Sequence, residues 1–177
     1  ELAKKMRMLR DHGQAQKYYH DIEGYNGRLD AIQAGILRVK LEKLPEWNQQ
    51  RQACAANYRE LLAGNPDVKL PTEYEWSKAV YHLFVVRVAR RAELQSFCAE
   101  ANIGTAIHYP IPLHVQKAYA HLGYRAGDFP VAERVAGEIV SLPMFPGLTR
   151  QQQERVAKRL KEFLARAGAT VAAGASL

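Results

Sequence analysis

The densest run of residues able to do chemistry is HYPIPLH, from His108 to His114. Imidazoles and a phenol can bind a ligand and exchange protons with it. Pro110 and Pro112 exclude both regular helix and a central strand, so the loop is extended and stiff, with its side chains aimed at low entropic cost. It reads either as a binding loop or as a proline-rich connection whose aromatics simply pack. His108 and His114 have no carboxylate or cysteine nearby to complete a ligand set, and no metal site is expected. A second group is GYNGRLD, Gly24 to Asp30, directly ahead of a strongly helical pattern. Asn26 there is either a helix cap accepting first-turn amides or, with Arg28 beside it, part of a helix N-terminus suited to phosphate oxygens or a carboxylate. Tyr81 and His82 form a third group at the start of an alternating segment. On a strand they point to opposite faces, so at most one serves a given pocket. No serine with a nearby base, glycine-rich phosphate loop or zinc-protease helix is present in the sequence.

The elements that must position these groups follow from periodicity. Residues 1–12 form a helix closed by Gly13. From Arg28, the residues Leu29, Ile32, Ile36 and Val39 recur at helical spacing, and Leu37, Leu41 and Leu44 widen the stripe. Pro45 is expected to kink or restart this helix, whose second face runs from Trp47 through Cys54 and Tyr58 to Gly64. Gly64, Asn65 and Pro66 are a stop signal. Beyond them the pattern predicts a strand over Val80–Val88, a helix with Leu94, Phe97, Cys98 and Ala101 inside, and a strand over Ile103–Ile107. A helix from about Pro130, a strand near Ile139–Leu142 and a last helix from Thr149 follow. Thr149 and Gln152 have capping-box spacing, and Val156, Leu160, Phe163 and Leu164 supply the buried stripe. After Arg166 the run AGATVAAGASL offers nothing to bury and should fray. The fold class is α+β, a small sheet covered on one face by helices. The expected divisions are 1–27, a long helix over 28–64, a small α+β domain over 65–166 and a flexible tail over 167–177.

Composition narrows the function classes. Of 177 residues 47 % are apolar and 24 % charged, enough for an ordinary core. No apolar run reaches the roughly 18 to 20 residues that span a bilayer, and the N-terminus is amphipathic rather than signal-like, so a cytoplasmic chain without membrane attachment is expected. Cys54 and Cys98 read as small buried apolar side chains. The net charge of +7 suits an anionic partner. Lys4, Lys5, Arg7, Arg10 and Lys17 are not interleaved with aromatics, however, and the basic residues between Arg150 and Arg166 alternate with Glu154 and Glu162, so nucleic acid is not expected. A metabolite carrying a pyrophosphate accounts for the charge equally well. Glu1 lies inside an apparent helix with no cap before it, and a preceding N-terminal segment is expected.

Taken in order, MRMLRDHG (Met6 to Gly13), GYNGRLDAIQAGIL (Gly24 to Leu37), the stretch from Leu41 to Tyr58 with Trp47 and Arg51, YHLFVVR (Tyr81 to Arg87), IGTAIHYPIPLH (Ile103 to His114), GDFPVAE (Gly127 to Glu133) and SLPMFPGLT (Ser141 to Thr149) resemble the DegT/StrS family of sugar aminotransferases. The resemblance covers nearly the whole chain except its tail. It implies the C-terminal part of a fold-type-I, pyridoxal-phosphate-dependent aminotransferase, with a long connecting helix and a small, mostly antiparallel sheet covered by helices. Further implications are a homodimer with active sites at the subunit boundary and a pyridoxal 5'-phosphate cofactor, with pyridoxamine phosphate as intermediate, held mainly by a missing N-terminal part through a lysine Schiff base. None of Lys4, Lys5, Lys17 or Lys40 sits in the family's lysine motif, so the chain alone should be inactive. By position, Asn26 is similar to the asparagine that reaches the cofactor phosphate of the neighbouring subunit, and Arg28 to an arginine contacting an anionic substrate group. His108 and Tyr109 resemble the pair facing the sugar and its diphosphate, with His114, Gln116 and Tyr81 as further substrate candidates. The implied reaction moves an amino group from glutamate to a keto sugar of a nucleotide-diphosphate sugar. The YYHDIEGYNGRLD context, with Arg28, is similar to members acting on 3-keto sugars with a C6 carboxylate. The alternative is a non-catalytic nucleotide-sugar-binding or dimer-interaction module.

Overall fold

A computed structural model describes residues 1–174, with side chains through Arg166. The chain forms two compact units, Glu1–Pro45 and a second beginning at Glu46. The division falls at Pro45, inside the long helix, rather than at Arg28 or Asn65 where the sequence places its boundaries.

In the first unit, helix α1 (Leu2–Arg10) is followed by a short antiparallel pair, β1 (Gln14–Gln16) and β2 (Tyr19–His20). Gly13 ends α1's turn at φ +79°, and a Cβ there would lie 1.6 Å from the Ile22 carbonyl oxygen. Only glycine lets the two backbones cross this closely. The crossing is stitched by amides: Gly13 donates to Met8 O at 2.8 Å, Tyr25 to Leu9 O at 2.7 Å and Gly27 to Arg10 O at 2.7 Å. The segment carrying Asn26 is therefore tied to the end of α1.

Helix α2 (Ala31–Leu62) begins where Asp30 Oδ1 accepts the amides of Ile32 and Gln33, each at 3.0 Å. Asp30, not Asn26, is the cap, a contribution of about 0.5–2 kcal/mol. The capping alternative for Asn26 falls away. The helix continues through Pro45. Its early apolar stripe, including Ile32, Ile36 and Val39, is exposed, as is Leu29 just before the helix.

The second unit is built on β3 (Phe84–Arg87) and β4 (Ile139–Leu142), antiparallel in the register Phe84↔Leu142 to Arg87↔Ile139. Single bridges, Lys69↔Arg87 and Ala106↔Ser141, extend the sheet on either side. Phe84, Val86 and Val88 alternate inward, and β4 buries Val140, Ser141 and Leu142. The C-terminal half of α2 packs Tyr58 and Leu62 into this core, joined by Leu94 and Cys98 of α3 (Arg91–Glu100) and by Val156, Leu160 and Phe163 of α5 (Arg150–Gly174). Between α3 and β4, α4 (Pro130–Glu138) carries its proline in the first turn, where the missing amide costs nothing.

The strand expected over Val80–Val88 is shorter. Tyr81 adopts φ +51°, and the Tyr81 and His82 carbonyls accept from Arg51 Nη1 at 3.3 and 3.1 Å instead of from a strand neighbour. The opposite-face argument for Tyr81 and His82 therefore does not apply. The strand expected over Ile103–Ile107 is reduced to the bridge at Ala106. The capping box at α5 forms as read: Gln152 N–H donates to Thr149 Oγ1 at 3.2 Å and Thr149 N–H to Gln152 Oε1 at 2.9 Å. Backbone helix continues past Arg166 to Gly174, so the tail expected over 167–177 falls partly on α5 and, from 175, outside the described residues.

Gln153, fully buried, is paired across this unit, whereas the buried Arg59 Nε has no hydrogen-bond partner among the described residues. Gln153 donates to the Cys54 carbonyl at 2.7 Å and accepts from Asn57 Nδ2 at 3.2 Å, tying α5 to α2. Cys54 and Cys98 are buried free thiols, and burial raises both pKa values, which keeps them protonated and unreactive. No helix among the described residues is long and apolar enough to cross a membrane.

Candidate functional site

The site in the second unit is centred on His108. Ala106 exchanges both backbone bonds with Ser141, at 3.2 and 2.7 Å, and this anchors the start of the proline loop on the open edge of β4. Two residues later His108 Nδ1 lies 2.9 Å from Ser141 Oγ. The half-buried imidazole faces a cavity of about 200 Å³ lined also by Leu83, Thr105, Pro143 and Met144. The wall of this cavity beyond β4 is held by long-range bonds. Tyr58 Oη donates to Pro143 O at 3.0 Å, and Arg51 Nη1 donates to Met144 O at 3.3 Å. Tyr109, joined to His108 by a cis peptide, is 80 % exposed with its ring edge-on to the imidazole at 6.3 Å.

The other candidates in this unit face different partners. The His114 side chain is only 8 % exposed, its ring lies 4.8 Å from Phe129, and Nε2 donates to Glu133 at 2.9 Å. Glu133 also accepts the amides of Gly127 at 2.8 Å and Phe129 at 3.3 Å. The Gly127 amide, then the His114 bond, hold the Glu133 carboxyl below the usual carboxylate range. One carboxylate thus ties the proline loop to the turn before α4. Gln116 Nε2 donates back to Ile111 O at 3.4 Å. Tyr81 lies beside a separate cavity of about 450 Å³ lined with Gln52, Arg59, Glu73 and Lys78. Its hydroxyl donates to Glu73 and accepts from Arg59 at 2.6 Å. Tyr81's bond and the Ala79 amide lower the Glu73 pKa, while burial and then Glu73 raise that of Tyr81, so the carboxylate is ionised and the phenol neutral.

In the first unit, Asn26 pairs by backbone with Asp11, and its side chain is exposed. Arg28 lies 3.7 Å from Asp11 and is largely exposed. The two side chains thus stand on a segment fixed by main-chain bonds, open to an anionic ligand. No cluster of three metal-ligating side chains occurs among the described residues.

Ser141 and Glu133 join the site without belonging to any of the polar clusters of the sequence. A serine inside the apolar run Ile139–Leu142 was a usable signal, because a buried hydroxyl needs a partner. For Glu133 there was none, since an acidic residue in the first turn of a helix is ordinary.

Residues 1–161 match the DegT/DnrJ/EryC1/StrS aminotransferase family. The erythromycin biosynthesis sensory transduction protein EryC1 of Saccharopolyspora erythraea is 45 % identical over 90 % of this chain and 44 % of its own length. The dTDP-3-amino-3,4,6-trideoxy-alpha-D-glucose transaminase of Streptomyces venezuelae is 44 % identical over 94 % of this chain and 44 % of its own. The crystal structure of S. venezuelae DesV superimposes with a TM-score of 0.88, at 44 % identity, over 92 % of this chain and 44 % of that one. The chain therefore spans less than half the length of the relatives it matches.

Proposed function

The chain belongs to the DegT/DnrJ/EryC1/StrS aminotransferase family, and from that membership and the His108 loop we propose that it is the C-terminal portion of a pyridoxal-phosphate-dependent sugar aminotransferase. The reaction moves an amino group from glutamate to a keto sugar carried on a nucleoside diphosphate. The 3-amino sugar in the name of the S. venezuelae relative favours a 3-keto substrate. One arrangement supports this above all: an imidazole held against β4 beside a cavity, on a loop stiffened by two prolines and tied at both ends.

Each residue has a distinct task. His108 donates to a sugar or diphosphate oxygen, and the exposed Tyr109 ring closes over the same ligand. Arg28, only partly compensated by Asp11, attracts an anionic substrate group. Asn26 fits a phosphate: its backbone is fixed, its carboxamide is exposed, and it donates to the cofactor phosphate of the neighbouring subunit in a homodimer. Pyridoxal phosphate, when bound, supplies the electron sink that makes amino transfer accessible. The Schiff-base lysine comes from outside these 177 residues, so the isolated chain is inactive.

The test uses the natural full-length protein. With pyridoxal phosphate it should show the cofactor's visible absorbance, and glutamate should bleach it. His108→Ala should raise KM for a nucleotide-linked 3-keto sugar by roughly tenfold or more, the loss of a charge-assisted hydrogen bond worth about 1.5–3 kcal/mol, a larger effect than its lowering of Tm through the unmatched Ser141 hydroxyl. A full-length protein that stays colourless yet binds nucleotide sugars would instead be a binding module. Unchanged kinetics with a large loss of Tm would make His108 purely structural.

A further inference from the structure

We propose that Ser141 is a positioning residue for His108: its hydroxyl donates to Nδ1, fixing the neutral imidazole with its proton on Nε2, so that the ring offers an N–H to a substrate oxygen. The inference rests on the reading of His108 as a substrate-binding residue. Ser141 is 4 % exposed, in the middle of β4. Its own N–H and carbonyl are both spent on Ala106, and its cross-strand neighbour on the other side is Val85. The ladder fixes the Cα–Cβ direction of Ser141, and from there its Oγ lies within bonding distance of the imidazole. A buried hydroxyl has one proton to give, and leaving it unmatched carries the desolvation penalty of a lost hydrogen bond. Among the described residues the partner of Ser141 Oγ is His108 Nδ1, at 2.9 Å. Were the proton on Nδ1, the ring would donate to Oγ and the hydroxyl hydrogen would find no protein acceptor among the described residues. With Nδ1 as acceptor, both groups are satisfied and the ring proton sits on Nε2.

The tautomer decides what His108 can do. A neutral imidazole protonated at Nε2 is a donor on its ligand-facing side and cannot take a proton there. It therefore recognises acceptors, such as sugar hydroxyls and diphosphate oxygens, rather than serving as a general base through Nε2. Anchoring Nδ1 also fixes the ring plane, which reduces the rotamer freedom lost on binding.

The experiment uses the full-length protein with UDP and dTDP as probes. Two-bond ¹H–¹⁵N spectra of the imidazole should place the His108 proton on Nε2. Ser141→Ala should weaken nucleotide-diphosphate binding roughly 3- to 10-fold, the range for one lost hydrogen bond. Ser141→Thr, which restores a hydroxyl in a strand that tolerates β-branching, should recover most of it. Adding Ser141→Ala to His108→Ala should weaken binding no further. A proton on Nδ1 in the parent overturns the proposal, as does unchanged affinity in Ser141→Ala beside weakened affinity in His108→Ala. If His108→Ala itself leaves affinity unchanged, the ligand role of His108 fails first. Should Ser141→Ala not fold, the parent tautomer and the threonine variant still decide.

Discussion

Replacing Tyr58 by Phe removes a single oxygen from the interior of the second unit. The ring is 0 % exposed and stacks on Phe84 with centroids 5.1 Å apart, and Phe keeps that packing. Lost is the bond from Tyr58 Oη to the carbonyl of Pro143, 85 residues away, at 3.0 Å. Burial raises the phenol's pKa far above its ordinary value, so it is a donor at every accessible pH. A typical hydrogen bond contributes about 0.5–1.5 kcal/mol, and a buried carbonyl left unmatched costs about 1–3 kcal/mol. Met144, next along, keeps its own donor in Arg51, so the loss is confined to one carbonyl, and about 1–2 kcal/mol is expected. Tyr58→Ala would also lose the ring, at about 3–5 kcal/mol, and would not isolate the hydroxyl. In urea unfolding with m near 2 kcal/mol/M, Tyr58→Phe should lower the midpoint by about 0.5–1 M at constant m. A midpoint unchanged within about 0.2 M would mean that the Pro143 carbonyl finds water and that the Tyr58 bond does not help to hold this wall of the cavity. A changed m would mean that the substitution altered compactness instead.

Other perturbations probe the loops. Gly13→Ala forces a Cβ into the Ile22 carbonyl at a positive φ. The left-handed backbone alone costs about 1–2 kcal/mol, so limited proteolysis should cut faster at Lys17 while unfolding of the second unit is unchanged; equal cleavage rates would refute the close crossing. The folded-state pKa of Glu133 is depressed, so its tie to Gly127, Phe129 and His114 is fully present above the unfolded carboxylate pKa. That stabilisation is lost as pH falls through the depressed folded value. The Gly127 amide resonance should therefore move only on the acid side of the usual carboxylate range, and Glu133→Gln should abolish the transition. A midpoint on the alkaline side of that range would contradict the assignment.

Local rules were sufficient wherever the deciding interaction lay within a turn or two. The capping box at Thr149, the strand over Ile139–Leu142, the proline start of α4 and the glycine after α1 were legible because their causes are neighbours in the chain. Asn26 shows the margin of such rules: a helix cap is one of the two readings its type and place allow, and Asp30, four positions later, does the capping. The strand over Val80–Leu83 failed for a different reason, since Arg51, from another element, captures its carbonyls.

By itself the sequence determined that HYPIPLH is stiff and polar, because proline fixes φ wherever it stands. Only the tertiary structure decided which way its rings are spent, since Ser141 and Glu133 lie 33 and 19 residues further along the chain and reach the two histidines by folding alone. The stripe from Leu29 to Leu44 is likewise a helical face by periodicity. Its exposure in this chain shows that a pattern specifies which side is apolar but not what surface covers it.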